Sequence, residues 1–128
     1  MLGNDPRVLT TAPIQPYTQQ GFGGFDRASI PKQVGPMLLL SGAADTIASP
    51  AQNQQPVFDM SNVPVLWANL VGGDHIATGL DGAAGYRKVA LAWFRLQLMG
   101  DEDFRGMFYG ADCGLCKDAS WLVQQSGL

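Results

Sequence analysis

The sequence predicts an α/β fold with about three parallel strands, near residues 8–12, 36–41 and 65–71, and a long helix near 84–99. Three observations lead there. Two apolar runs, Pro36-Met-Leu-Leu-Leu-Ser-Gly42 and Val63-Pro-Val-Leu-Trp-Ala-Asn-Leu-Val71, are continuous rather than alternating and end at breakers, as strands covered on both faces do. Segments with strand and helix character alternate along the chain, which implies crossover connections and a parallel sheet. One stretch, Gly82 to Met99, carries strong helical periodicity.

Taken in order, MLGNDPR reads as a helix end and a turn, with Gly3-Asn4 as the stop and Asp5-Pro6 beyond it. Val8–Ala12 is a short β-branched run ended by Pro13, hence the first strand. Residues 13–35 hold Pro13, Pro16, Pro31 and the cluster Gly21-Phe-Gly-Gly-Phe25, and read as a long loop. The 36–41 strand follows, then a loop over 43–49, then a helix opened by Pro50 and running to about Met60. After the 65–71 strand comes the glycine turn Gly72-Gly73. In the long helix Tyr86, Val89, Trp93 and Leu96 share one face, and Ala90, Leu91, Phe94 and Leu98 widen the apolar stripe until little polar surface remains. Gly100 is its stop, and Asp101 a cap for a shorter helix containing Glu102 and Asp103.

Size and charge limit the possibilities. The chain has 128 residues, which suits a single domain over 1–128. Hydrophobic residues make up 46% and charged ones only 15%, so much of the chain is expected to be buried or covered by a partner. Net charge is −3 and the basic residues are scattered, which argues against a nucleic-acid or membrane-surface partner. No apolar run is long enough to span a bilayer, and the N-terminus has no signal-peptide pattern.

In a parallel sheet the ligand site lies beyond the carboxyl ends of the strands. Asp45 follows the second predicted strand and His75, the single histidine, follows the third. If those strands are neighbours, the two loops meet. A carboxylate on Nδ1 of an imidazole holds its tautomer and offsets its charge, which is what a histidine general base requires. A surface Asp and a surface His on separate loops is the competing interpretation. The order acid then histidine is that of the last two triad members in α/β-hydrolases.

Three stretches, Leu9-Thr-Thr-Ala-Pro-Ile-Gln-Pro-Tyr17, Ser41-Gly-Ala-Ala-Asp-Thr-Ile-Ala48 and Gly72-Gly-Asp-His75, resemble the carboxyl half of bacterial serine α/β-hydrolases. The nearest group is the cutinase-like and poly(ethylene terephthalate) hydrolases, with dienelactone-hydrolase relatives close by. The resemblance covers nearly the whole chain, in order. It implies a truncated α/β-hydrolase fold, with Asp45 as triad acid, His75 as triad base, and Tyr17 and Ile47 bordering the substrate cleft; ordinary loop packing is the alternative for those two. It implies an ester or polyester substrate, no cofactor and no metal, and a secreted or periplasmic location.

The departure from the family is the nucleophile. No G-x-S-x-G occurs, and Ser29, Ser41, Ser49, Ser61, Ser120 and Ser126 sit in no strand-to-helix elbow. By the resemblance, the nucleophile and the oxyanion donors belong to a half that precedes this stretch. A Val8–Ala12 strand cut from that half would leave an unpaired edge, so a homo-oligomer through that edge, or assembly with the missing half, is expected. A non-catalytic truncated homologue acting as an oligomerising or binding module is the alternative function.

Cys113-Gly-Leu-Cys116 is a C-x-x-C with no strand before it, unlike a thioredoxin motif, and zinc would need two further ligands. A local disulfide pinning the tail is the first reading and a reduced, inert pair the second. Trp121 is expected to dock the tail on the core.

Overall fold

The computed structural model describes residues 4–19, 26–79, 83 and 85–128. The helix end read at Met1–Gly3, the glycine cluster 21–25 and the start of the long helix at Gly82 lie outside them. Two strands, β1 (Met37–Gly42) and β2 (Val65–Leu70), pair in parallel from Met37↔Val65 to Gly42↔Leu70. Helix α1 (Pro50–Met60) connects them. After β2 come α2 (Tyr86–Met99) and two one-turn helices, α3 (Arg105–Phe108) and α4 (Gly114–Lys117), and then β3 (Trp121–Ser126). The described sheet has the order β1-β2-β3 and is mixed, because β3 runs antiparallel to β2. The molecule is thus a small α/β fold.

The continuous apolar runs are explained by burial on both sides. All six β1 residues are buried. Leu38, Leu40, Leu66 and Ala68 point to one face and pack with Tyr86, Val89, Trp93 and Leu96 of α2, closed off by Phe108, Leu115 and Trp121. Met37, Leu39, Val65 and Trp67 point to the other and pack with Ile30 and Val57, the latter from α1. One helix therefore covers each face, and the alternation of side chains divides the apolar residues between two cores. At about 25 cal/mol per Å² of apolar surface, each fully buried leucine here contributes roughly 1.5–3 kcal/mol.

Two expectations are corrected. The sheet is not wholly parallel, because residues 121–126 form the antiparallel third strand. Its burial alternates residue by residue, the signature of a strand with one wet face. Val8–Ala12 is not a strand. The chain runs beside β1 only through isolated bridges at Thr11↔Met37 and Ile14↔Leu40. Pro13 is the reason: it has no N–H, so although its carbonyl accepts from the Leu40 N–H at 3.0 Å, no continuous ladder can form.

The remaining elements follow local chemistry. Pro50 starts α1 where a missing N–H costs nothing. Gly100 ends α2 in the left-handed conformation at φ 66°. Asp101 stands before a short 3₁₀ turn at Glu102–Phe104 but makes no capping bond; its carboxylate pairs with Arg95 at 2.6 Å instead. Cys113 and Cys116 are joined in a disulfide. Trp121 is buried and meets the Tyr86 ring edge-on at 5.6 Å between centroids.

Candidate active site

Because β1 and β2 are parallel neighbours, both leave the sheet at the same edge. Asp45 lies three residues past the end of β1 and His75 five past the end of β2. The two loops are joined by main-chain bonds. The Ala43 N–H donates to the Leu70 carbonyl and the Ala44 N–H to the Gly73 carbonyl, both at 2.8 Å. Gly42 and Gly73 touch backbone to backbone, so a Cβ on Gly42 would run into the Gly73 carbonyl. Gly72, at φ 72°, turns the chain back toward this contact.

On that frame His75 Nδ1 lies 2.8 Å from Asp45 Oδ2. The Asp45 side chain is fully buried, while that of His75 is 32% exposed. The second carboxylate oxygen, Oδ1, accepts the N–H groups of Ile47 and Ala48, each at 2.8 Å. Three donors therefore serve one buried carboxylate, which meets the requirement that a buried charge be hydrogen-bonded. With a carboxylate facing Nδ1, that nitrogen is the donor, and the Nε2 lone pair is left available. Among the described residues nothing is bonded to Nε2.

His75 forms part of an open depression of about 220 Å³ lined by Thr46, Ile47, Asp74, His75 and Ile76. Ile47 and Ile76 are 58% and 60% exposed, so two solvent-facing aliphatic side chains share the depression with the imidazole. The structure thus brings Asp45, His75 and Ile47 together. Tyr17 is not among the lining residues. Its segment is fastened nearby instead: the Gln15 amide donates to the Asp74 carbonyl, and the Pro16 carbonyl accepts from Gln54 of α1 at 2.8 Å.

Beneath the histidine turn lies Tyr86, a residue that the sequence marks only as part of a helical apolar face. It is wholly buried, and its hydroxyl has no hydrogen-bond partner among the described residues. A Cβ on Gly73 would come within 3.0 Å of that hydroxyl. Burial, followed by the nearby Asp45 and Asp74 carboxylates, pushes the phenol up to about 12. Tyr86 therefore remains neutral under the dyad. Ile76 and Asp74 flank His75 in sequence, so their place was there to be read; that of Tyr86 depends on α2 docking across the sheet.

The hydroxyls of Ser29, Ser41, Ser49 and Ser61 are engaged elsewhere. Ser41 accepts from Trp67 Nε1 at 2.7 Å and donates to Asn69 at 3.0 Å, both as part of the buried sheet. The Ser61 hydroxyl donates to the Val57 carbonyl. Among the described residues no serine hydroxyl is bonded to His75. No group of three or more His, Cys, Asp or Glu side chains is placed to hold a metal ion among them either. No protein-family model and no curated protein matches this chain.

Proposed function

We propose that this chain supplies the acid and the base of a Ser-His-Asp carboxylester hydrolase, of the kind that the resemblance to polyester hydrolases implies, within a truncated α/β-hydrolase arrangement. The observation that carries the reading is the 2.8 Å contact of His75 Nδ1 with the buried, triply hydrogen-bonded carboxylate of Asp45. In this reading Nε2 takes the proton of an attacking serine hydroxyl contributed by another segment. The serine oxygen adds to the ester carbonyl, and the imidazolium returns the proton to the departing alkoxide. Water then releases the acyl group by the same route. Asp45 keeps Nδ1 protonated and offsets the imidazolium charge. Ile47 and Ile76 offer apolar contact to the groups on either side of the ester.

The test is p-nitrophenyl butyrate hydrolysis by the chain alone and by the chain co-expressed with the sequence encoded upstream of it. The reading expects turnover in the combination, reduced to background by His75→Ala and by roughly two to four orders of magnitude by Asp45→Asn. It also expects no fluorophosphonate adduct on the isolated chain. Hydrolysis indifferent to His75→Ala overturns it. A combination with no turnover leaves the second reading, a non-catalytic module, which is favoured by the lack of any serine at Nε2 among the described residues.

A further inference from the structure

Helix α2 is apolar on both sides. Tyr86, Val89, Trp93 and Leu96 are buried against the sheet. On the reverse, Leu91, Phe94 and Leu98 recur at i, i+3 and i+7 and are 59%, 37% and 54% exposed. That spacing aligns them in one stripe along the outside of the helix. Nothing among the described residues covers it.

The ends of the stripe carry opposite charge. At the N-terminal end Arg87 and Lys88 are exposed and enter no ion pair among the described residues. Past the C-terminal end stand Glu102 and Asp103, also exposed; Glu102 has only a loose 3.7 Å contact with Arg105. The acidic turn is held on the Arg95 side of the stripe, because Asp101 pairs with Arg95 at 2.6 Å and the Arg95 guanidinium lies over the Phe104 ring at 5.0 Å.

We propose that the outer face of α2 is a docking surface for a second copy of this chain, packed antiparallel about a two-fold axis. The midpoint of the stripe falls between Phe94 and Arg95. An axis there sets Leu91 of one copy against Leu98 of the other, and Arg87 against Glu102. The surface is therefore self-complementary in both apolar position and charge. An anionic lipid surface would meet Glu102 and Asp103 at one end, and an acidic peptide would be repelled there as well. The edge segment beside β1 is a weaker template, since Pro13 and Pro16 remove two of its donors. A single helix pair buries less than the about 1,600 Å² of a standard interface, so the association belongs in the micromolar range or weaker.

Sedimentation velocity from micromolar to millimolar concentration tests this. The expected result is a monomer–dimer equilibrium that weakens with added salt. Leu91→Gln and Leu98→Gln should each raise the dissociation constant by about tenfold or more, and so should Arg87→Glu, with unchanged circular dichroism. In Arg87→Glu/Glu102→Lys the swapped charges face each other again, and affinity should return to within about threefold of the parent. A monomer at millimolar concentration overturns the proposal. A dimer indifferent to Leu91→Gln and Leu98→Gln, or a double variant as weak as Arg87→Glu, overturns it too. So does a monomer that sediments with phosphatidylglycerol vesicles through these residues, which would make the face a lipid-binding one.

Discussion

Tyr86 shows how one hydroxyl connects the core to the proposed site. Its phenol lies under the histidine turn without a partner among the described residues, raised to about 12 by burial and by the Asp45 and Asp74 carboxylates. In an unfolded chain the same phenol titrates near its ordinary value, about 10. Below that pH both states hold the proton and stability is complete. As pH rises from about 10 toward about 12 the unfolded state ionises first, and roughly 2–3 kcal/mol of stability is lost. Tyr86→Phe should remove that alkaline loss. At neutral pH it should be no less stable than the parent, because it deletes a buried hydroxyl with no hydrogen bond to forfeit among the described residues. Urea unfolding at pH 7 and through the alkaline range would read both effects. Asp45 is the opposite case: each carboxylate oxygen is in use, so its removal would strand two backbone donors and the imidazole N–H.

Among the elements, α1 carries the clearest local conflict. Pro56 lies inside it, where proline lacks the N–H that would reach the Gln52 carbonyl and crowds that carbonyl as well. The freed Gln52 oxygen accepts from Arg27 at 2.5 Å instead, and the Arg27 Nε donates to the Thr18 carbonyl at 3.0 Å. Proline in a helix interior costs about 3 kcal/mol, but here part of that cost is offset by the guanidinium. Pro56→Ala should therefore stabilise by about 1 kcal/mol rather than three, measured by thermal or urea unfolding. Legibility also differed between elements. β1, β2 and α2 were readable because double-sided burial and helical period leave long, uniform patterns, and α1 only from the Pro50 that opens it. β3 was not: Gln124, Gln125 and Ser126 dilute a short strand that needs only one apolar face. Val8–Ala12 misled in the other direction, because its β-branched residues favour a strand while Pro13 denies it a ladder. Of the site, Asp45 and His75 could be placed from strand order and loop length, whereas Ile47 entered only through the resemblance. Tyr86 could not, because its relation to the dyad exists only once α2 is docked.

At the scale of the whole molecule, a three-stranded sheet with one principal helix on each face leaves the later part of the chain to complete the larger core. Phe108, Leu115, Cys113 and Trp121 all join it, and Trp93 meets Phe108 edge-on at 5.1 Å. The Cys113–Cys116 disulfide closes a four-residue loop at the turn that delivers β3 to β2. Closing a loop that short restricts the unfolded chain by about 2 kcal/mol. Cys113→Ser/Cys116→Ser should lower unfolding free energy by that amount or slightly more, since a hydroxyl at the buried position 113 packs less favourably than sulfur. Hydrogen exchange would locate the loss, with the amides of Trp121–Ser126 deprotected before those of Met37–Gly42.

The peptide links between the β1 and β2 loops have a consequence for variation. Ala43 and Ala44 are exposed and hold the acid loop in place through main-chain atoms, so their side chains are free to change. The glycines at 42 and 73 are not. A pair of loops specified by backbone and two glycines is a portable cassette, one that could be grafted onto the same end of any two adjoining parallel strands and still present its imidazole.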